Sequence, residues 1–314
     1  MPRKFPYVKW TAEQLPDLSG RTALVTGANS GIGWWATRAL AAQGARVVLA
    51  CRDVERGKQA ADKIRAVRPS AELDVAHLDL SSMSSVRGFG DTWDGSLDLL
   101  INNAGVMAPP KRLTTEDGFE LQFGTNHLGH FVLTGLLLPS LLAAPAPRVV
   151  TVASVAHHGG TDAVLDGNAR ERYHPQHTYS NSKLANLLFA DELQRQATAR
   201  GLPLVSVAAH PGVSATGLVA DPQGMGAKRF MRTVAPLFVK LFTQSAVAGA
   251  RATLYAAALA EPGSYTGPQR FGETRGSIGP ARRSSFAQDE KLARRLWQVS
   301  EEITGFHYPW PSTD

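Results

Sequence analysis

The sequence predicts a doubly wound α/β fold, in which a parallel sheet carries helices on both faces. Two observations lead to this prediction. Short apolar runs alternate with longer helical segments from Arg21 onward, and each run is nearly continuously apolar instead of alternating with polar residues. Strands that are buried on both faces give such runs, and the strand–helix alternation is typical of βαβ units. A sheet of about seven strands is expected for such a fold.

Six of these strands can be placed directly, because each is a short, mostly apolar run rich in β-forming residues. They are Thr22–Thr26, Arg46–Ala50, Leu73–Leu78, Asp98–Ile101, Arg148–Ala153 and Leu204–Ala208. Helices fit Gly31–Gln43, Asp53–Val67 and Phe286–Thr304, the last of which stops at Gly305. The apolar stretch Phe131–Ala144 is too short to span a bilayer and predicts a buried helix.

The length of 314 residues and the 43% hydrophobic content predict one folded domain with a substantial core. This domain is expected to cover residues 1–314, with its core at about 19–305 and a substrate lid at about 213–245. The basic start MPRKFPYVKW lacks the apolar run of a secretory signal, and one cysteine, Cys51, excludes an intrachain disulfide. A cytoplasmic protein is therefore expected.

The formal net charge of +6 raises the question of anionic partners. No nucleic-acid-binding motif is present and the basic residues are scattered, so a nucleic-acid partner is not expected. Between residues 217 and 245, apolar residues recur at helical spacing with basic residues between them, including Lys228 and Lys240. Three interpretations stay open for this segment: a packed amphipathic helix, an apolar lid over a substrate, or a surface that contacts a membrane.

A glycine-rich turn follows the first strand, with the sequence TGANSGIG from Thr26 to Gly33. A tight turn needs residues that tolerate unusual φ angles, and a phosphate approaches the backbone closely only where no Cβ intervenes. The next helix offers unpaired N–H groups and the positive end of its dipole. The turn therefore predicts a site for the pyrophosphate of a dinucleotide, although an ordinary strand–helix turn can also contain glycines.

The rest of the chain carries further landmarks in a fixed order. NNAG (Asn102–Gly105) follows the fourth strand, Asn126 lies in TNHLGHF, and Ser154 follows the fifth strand. Tyr179 and Lys183 form Tyr-x-x-x-Lys, and Pro211, Gly212 and Thr216 follow the sixth strand. Together with the turn, this set resembles the short-chain dehydrogenase/reductase family over essentially the whole chain. The motifs ACRD (Ala50–Asp53), SVAHH (Ser154–His158) and RRLWQVSEEITG (Arg294–Gly305) resemble its retinol-dehydrogenase-like branch.

The resemblance implies a Rossmann-type fold and a catalytic set of Asn126, Ser154, Tyr179 and Lys183. An unperturbed tyrosine has a pKa of about 10, and a neighbouring ammonium is expected to lower it so that Tyr179 can exchange a proton with a substrate oxygen. Ser154 would orient that oxygen, and Asn126 would bind a water or support the backbone. The cofactor-binding residues implied in the same way are Gly27, Asn29, Ser30, Gly31, Ile32, Gly33, Arg52, Asp79, Leu80, Asn103, Ala104, Gly105, Tyr179, Lys183, Pro211, Gly212 and Thr216.

The end of the second strand favours NADP(H) over NAD(H). In this fold an acidic residue binds the ribose 2′-hydroxyl of NAD, whereas an arginine accommodates the 2′-phosphate of NADP. Cys51 stands at the usual acidic position and Arg52 follows it, while Asp53 is one place late and fits a helix N-cap. The nine histidines form neither H-E-x-x-H nor a Cys/His cluster, so no metal is expected.

The leading hypothesis is an NADP(H)-dependent oxidoreductase that interconverts a carbonyl and an alcohol, on a lipophilic substrate as in the branch it resembles. The alternative is a non-catalytic NADP(H)-binding sensor or scaffold, in which turnover would not depend on Tyr179. The polar segment at residues 157–177 makes the Ser154–Tyr179 interval longer than is usual in the family and resembles the branch's extra segment, which is expected to flank the substrate mouth. A homo-oligomer is possible, and the sequence does not name the substrate or the direction of reaction.

Overall fold

The computed structural model describes residues 10–170, 172–212 and 245–312. Thr216 and the lid predicted at about 213–245 lie outside the described residues, except for residue 245 at the end of that lid. All three interpretations of the segment between residues 217 and 245 therefore stay open.

A single sheet of eight strands organises the described chain. The strands are β1 (Thr22–Thr26), β2 (Arg46–Cys51), β3 (Leu73–His77), β4 (Leu99–Asn102), β5 (Arg148–Val152), β6 (Val205–Ala209), β7 (Tyr265–Arg270) and β8 (Arg275–Pro280). Their order in the sheet is β3-β2-β1-β4-β5-β6-β7-β8. All neighbours pair in parallel except β7 and β8, which form an antiparallel hairpin at the edge. The strand order reverses direction between β1 and β4, which is where this fold places a dinucleotide.

Helices cover both faces of this sheet, as the sequence predicts. They are α1 (Gly31–Ala42), α2 (Val54–Arg65), α3 (Met83–Asp91), α4 (Leu121–Phe123), α5 (Gly129–Leu136), α6 (Leu138–Leu142), α7 (Pro175–Ala199), α8 (Ala246–Ala258) and α9 (Glu290–Thr304). A π-helical turn, Gly124–Leu128, joins α4 to α5 without a break. Short 3₁₀ helices occur at Ala12–Gln14, Val155–Gly159, Asp162–Asp166 and Phe286–Gln288.

Two hydrophobic cores lie on the two sides of the sheet. Buried residues of α1, α2 and α8 form one core with β-strand side chains such as Val25 and Ile101. Residues of α3, α5, α7 and α9 form the other, which contains Leu24 and Leu100. Successive residues of β1 and β4 thus enter opposite cores, which follows from the two-residue period of a strand. This double burial explains why the strands are continuously apolar in sequence.

The C-terminal segment closes the second core with aromatic side chains. The ring of Phe131 in α5 lies 5.0 Å from the rings of both Trp297 and Tyr308, and the Tyr308 hydroxyl donates to the Phe131 carbonyl at 2.8 Å. Phe306 packs so closely on Gly135 that a Cβ there would lie 2.2 Å from the Phe306 ring. The segment from Phe306 to Tyr308, which follows the last helix, is therefore part of the core.

The structure differs from the sequence prediction mainly near the C-terminus. The six strands predicted from the sequence do not include the β7–β8 hairpin. Glycine and proline are uncommon inside strands, and this hairpin contains Gly267, Pro268, Gly276 and Gly279. The predicted helix at Phe131–Ala144 divides at Leu137 into α5 and α6. The described part of the chain contains no helix of the length and apolarity that crossing a membrane requires.

Candidate active site

The glycine-rich turn lies at the carboxyl edge of the sheet, between β1 and α1. Gly27 and Gly31 adopt left-handed φ angles of 65° and 56°, which side chains with a Cβ rarely adopt. A Cβ at Gly33 would lie 2.6 Å from the Gly27 carbonyl oxygen and 2.6 Å from Asn103 Nδ2. The glycines that the sequence singles out are therefore required by backbone conformation at two positions and by close packing at the third.

The N-terminus of α1 fits the pyrophosphate of a dinucleotide. Ser30 is the N-cap, it is exposed, and within the described chain its side chain makes no capping hydrogen bond. The N–H groups of the first turn at Gly31, Ile32 and Gly33 therefore face the sheet edge without a side-chain cap, while Asn29 completes the turn before them. Such a helix end binds anionic groups through its N–H donors and its dipole.

The Thr26 hydroxyl connects this turn to the NNAG motif. Its Oγ1 accepts the backbone N–H groups of Asn103 and Ala104, both at 2.9 Å. Asn103 returns the contact, because its Nδ2 donates to the Thr26 carbonyl at 2.8 Å. One side chain therefore fixes the ends of the neighbouring strands β1 and β4 relative to each other, at the point where the strand order reverses.

His130 extends this network into the helix that carries Asn126, and sequence analysis does not identify it. Its Nε2 lies 2.9 Å from Thr26 Oγ1 and its Nδ1 lies 3.0 Å from the Asn126 carbonyl oxygen. Burial lowers the pKa of His130 to about 4, so the ring is neutral near pH 7. A carbonyl only accepts, so Nδ1 carries the proton and Nε2 accepts from Thr26. The signal in the sequence was the second histidine of TNHLGHF, one helical turn after Asn126.

The Asn126 side chain is fully used by protein contacts. Its Oδ1 accepts the Val106 N–H at 2.8 Å, and its Nδ2 donates to the Val106 carbonyl at 3.0 Å and to Ser182 Oγ at 2.9 Å. It lies in the π-helical turn between α4 and α5, a conformation found frequently at functional sites. The amide therefore joins the loop after β4 to α7, which is the supporting role that the sequence leaves open for it.

Ser154, Tyr179 and Lys183 come together where α7, the helix that Asn126 contacts, meets the end of β5. Ser154 follows β5 and is the N-cap of the 3₁₀ helix Val155–Gly159, where its Oγ accepts the Ala156 N–H at 3.1 Å. Tyr179 and Lys183 lie on one face of α7 and are 6% and 3% exposed. The Lys183 Nζ lies 5.8 Å from the centre of the Tyr179 ring and donates to the Val152 carbonyl at 3.1 Å.

Burial dominates the electrostatics of this pair. It raises the pKa of Tyr179 to about 12, against a smaller lowering by the hydrogen bond with Ser154. It also lowers the pKa of Lys183 to about 8, because the ammonium is removed from water. In the protein by itself, burial therefore outweighs the lowering that the sequence analysis expects from Lys183. Desolvation disfavours the charged form of both groups, so the pKa of Tyr179 lies above its usual value and the pKa of Lys183 lies below its usual value.

The end of β2 places Arg52 on the surface beside the glycine turn. The Gly27 N–H donates to the Ala50 carbonyl at 2.8 Å, which holds the turn against the end of β2. Arg52 is exposed, whereas the Cys51 thiol is buried against Gly57 of α2 and burial raises its pKa to about 11. Asp53 caps α2 by accepting the Arg56 N–H at 3.0 Å, which confirms the prediction that it is a helix N-cap.

The remaining predicted cofactor residues lie at the same edge of the sheet. Asp79 follows β3 and its Oδ1 accepts both the N–H and the hydroxyl of Ser81, at 2.9 and 2.6 Å. Leu80 is buried and its carbonyl packs on Gly129, where a Cβ would lie 2.5 Å away. Gly105 lies beside two of the four catalytic candidates, since a Cβ there would be 2.9 Å from Asn126 Oδ1 and 3.6 Å from Lys183 Nζ.

The polar segment between Ser154 and Tyr179 contains more structure than the sequence suggests. It forms the 3₁₀ helix Asp162–Asp166 and then a loop in which the Tyr173 hydroxyl donates to the Pro109 carbonyl at 2.6 Å. His157 is fully buried, and its Nδ1 lies 2.7 Å from the Ser154 carbonyl oxygen, which it bonds. The segment thus packs against the loop that follows β4.

Comparison with known proteins then decides the family. The model of the short chain dehydrogenase family matches residues 21–223. The chain belongs to the short-chain dehydrogenase family. It is therefore an oxidoreductase that acts on alcohols and uses an NAD(P) cofactor, for which the glycine turn and the uncapped end of α1 provide a fitting site.

The relatives of this short-chain dehydrogenase include several retinol dehydrogenases, which confirms the branch indicated by sequence. It is 39% identical to retinol dehydrogenase 13 of Homo sapiens over 296 residues, covering 93% of this chain and 87% of the relative. It is 42% identical to polyprenol dehydrogenase of Mus musculus over 302 residues, covering 93% and 86%. A crystal structure of an uncharacterised protein from Mycobacterium paratuberculosis is 44% identical, with a TM-score of 0.81 and coverage of 96% and 100%.

The close packing of the turn in this short-chain dehydrogenase predicts the effect of Gly33→Ala. The added Cβ must displace the Gly27 backbone, so we expect a loss of about 1–3 kcal/mol of unfolding free energy and weaker NAD(P) binding. The matched control is Gly88→Ala in α3, where nothing lies within 4 Å of an added Cβ. That variant should gain about 0.5–1 kcal/mol, as alanine replaces glycine in a helix. Urea unfolding that shows equal stability for the two variants would contradict this account.

Proposed function

We propose that this protein is an NADP(H)-dependent oxidoreductase that interconverts a carbonyl and an alcohol on a lipophilic substrate, with Tyr179 as the proton donor and acceptor. The observation that carries the proposal is the buried Ser154–Tyr179–Lys183 cluster at the edge of the sheet that also carries the glycine turn. A solvated tyrosine and lysine on a helix surface would not explain a lysine that is 3% exposed.

Tyr179 performs the proton transfer in this proposal. Its pKa of about 12 keeps the phenol protonated near neutral pH, so in carbonyl reduction it gives its proton to the substrate oxygen. In alcohol oxidation the phenol first passes its own proton to the neutral amine of Lys183, and the resulting phenolate oxygen then takes the proton of the substrate hydroxyl. Ser154 interacts with the Tyr179 hydroxyl and offers its own hydroxyl to the same substrate oxygen. The nicotinamide, when bound, supplies or accepts the hydride at the substrate carbon.

Lys183 stabilises the charge that this transfer creates. When Tyr179 gives up its proton, a phenolate forms inside the protein, where charge interactions are strong. The ammonium of Lys183 lies near the ring and is held there by the Val152 carbonyl. With a pKa of about 8, Lys183 can also hold a proton at Nζ near neutral pH and return it to Tyr179. Asn126 fixes the loop and helix around this pair.

Arg52 supports the preference for NADP(H). It is exposed at the end of β2, beside the turn that would bind the pyrophosphate, and no acidic residue stands at the position before it. Arginine matches a phosphate with charge-assisted hydrogen bonds, whereas the ribose hydroxyl of NAD offers no charge to it. The remaining cofactor contacts that we propose lie at Asp79 and Leu80, in the NNAG loop, and at Pro211 and Gly212.

The names of the relatives support a lipophilic substrate. Retinol and polyprenol dehydrogenases are named for apolar alcohols, and this chain aligns with both over 93% of its length. We propose that the substrate of this protein belongs to the same broad class of lipophilic alcohols and carbonyls. The predicted lid at about 213–245 would cover it.

The replacement Tyr179→Phe tests the proposed chemistry. It removes the proton donor while keeping the ring, so NADPH-dependent reduction of a panel of lipophilic aldehydes and ketones should fall by about 10²–10⁴-fold. NADPH binding, followed by fluorescence titration, should stay close to that of the wild type. If the wild type binds NADPH but shows no Tyr179-dependent turnover on the panel, the sensor or scaffold alternative replaces the proposal.

The replacement Arg52→Gln tests the cofactor preference. Loss of a charge-assisted contact of about 1.5–3 kcal/mol should weaken NADPH binding by about 10–100-fold. NADH binding should change little, since NADH lacks the phosphate that Arg52 would contact. Arg68→Gln, at an exposed arginine whose Nη1 donates to the Ala42 carbonyl, is the control for loss of positive charge. A wild type that binds NADH more tightly than NADPH would refute the role of Arg52.

A further inference from the structure

His210 is buried directly before the proposed cofactor-binding turn Pro211–Gly212. It follows β6, its side chain is 0% exposed, and its backbone N–H donates to the Thr266 carbonyl in β7 at 2.9 Å. The Tyr265 ring lies 5.2 Å away, and Glu273 approaches from the β7–β8 hairpin. Neither the mechanism above nor the sequence analysis uses this histidine.

The sheet makes room for the His210 ring at Gly267. A Cβ at this position of β7 would lie 1.9 Å from His210 Nε2, so no residue with a side chain fits while the ring stays in place. A glycine inside a strand weakens the strand and often marks a close approach by another group. The ring therefore occupies a slot that exists because β7 lacks a side chain there.

The hydrogen bond to Gly212 assigns the tautomer of His210. The Gly212 N–H donates to Nδ1 at 3.1 Å, so Nδ1 is unprotonated and the proton of the neutral ring is on Nε2. Nε2 lies 3.6 Å from Glu273 Oε2, and it makes no hydrogen bond with any of the described residues. That distance is too long for a hydrogen bond but brings the carboxylate to the protonated nitrogen.

Glu273 is held in this place by the hairpin. The Arg282 N–H donates to its Oε1 at 2.8 Å, which leaves Oε2 on the side of His210. Glu273 is 9% exposed, and its φ of 64° lies in the left-handed region that favours glycine. Such a conformation is strained for a residue with a side chain and persists only where its surroundings fix it.

We propose that His210 and Glu273 are positioning residues for the turn Pro211–Gly212. Glu273 keeps the proton of His210 on Nε2, so that Nδ1 remains an acceptor for the Gly212 N–H and fixes the left-handed Gly212, whose φ is 68°. The inference rests on the proposed function, because it assumes that this turn contacts the nicotinamide side of the cofactor. It adds the hairpin at the sheet edge to the structures that organise the site.

His210→Phe and His210→Asn separate this role from simple packing. Phenylalanine fills the slot but cannot accept the Gly212 N–H, so NADPH binding should weaken by about tenfold, or 1.4 kcal/mol. Asparagine places Oδ1 where Nδ1 lies, so His210→Asn should stay within about twofold of the wild type. Adenosine 2′,5′-bisphosphate, which lacks the nicotinamide, should bind all three proteins equally in a calorimetric titration.

A double-mutant cycle tests the contribution of Glu273. If Glu273 acts through the tautomer of His210, Glu273→Ala should weaken NADPH binding in the wild type by about threefold, a coupling typical of contacting residues. It should have no further effect in the His210→Asn background, since asparagine has no tautomer to fix. This pair of variants also keeps the test available if His210→Phe does not fold.

Three results would overturn the inference. His210→Phe that binds NADPH like the wild type contradicts it, as does equal weakening of NADPH and adenosine 2′,5′-bisphosphate, which indicates a general loss of structure. Tyr308→Phe, which removes a buried hydrogen bond to the Phe131 carbonyl in α5, is the control for such a loss and should leave both affinities unchanged. A wild type that binds neither NADPH nor NADH refutes the proposed function and this inference together, whereas normal wild-type binding with an unaffected His210→Phe refutes the inference alone.

Discussion

The buried ammonium of Lys183 is the constraint on which the site depends. A charged lysine that is 3% exposed is removed from water, and it is stable only if neighbouring groups compensate for the lost hydration. Here the Val152 carbonyl accepts from Nζ and the ring of Tyr179 lies 5.8 Å away. The end of β5 and one face of α7 must therefore stay in register, and Asn126 secures α7 through Ser182. The same burial gives the lysine a proton affinity suited to exchange near neutral pH.

A second network links the proposed proton-transfer region to the proposed cofactor region. Thr26 belongs to the glycine turn, Asn103 to the loop after β4, and His130 and Asn126 to the helix behind both. A displacement of one member would disturb both the dinucleotide turn and the position of the lysine. The parallel sheet makes this arrangement possible, because all these groups emerge at one edge where the strand order reverses.

Much of the fold could be predicted because its signals are local. Continuous apolar strands, glycines at fixed spacing and the Tyr179–Lys183 interval are all visible in the sequence, and the parallel sheet with helices on both faces is as expected. The pKa of Tyr179 could not be predicted, since burial depends on packing from distant elements. His130 and His210 were missed for the same reason: their roles depend on Thr26 and Glu273, which lie far away in sequence. The β7–β8 hairpin was missed because its glycines are not typical of a strand. Gly267, for example, is required by the His210 ring that packs against it.

The pH dependence of carbonyl reduction by the wild type and by Lys183→Met tests the central claim most directly. Lys183 carries its charge below its pKa of about 8 and loses it above, while Tyr179, with a pKa of about 12, stays protonated throughout. The wild-type rate with saturating NADPH should therefore be level at neutral pH and fall above about pH 8. Lys183→Met should be slower and show no such fall. An unchanged break near pH 8 in Lys183→Met would contradict the assignment of the buried lysine to proton transfer.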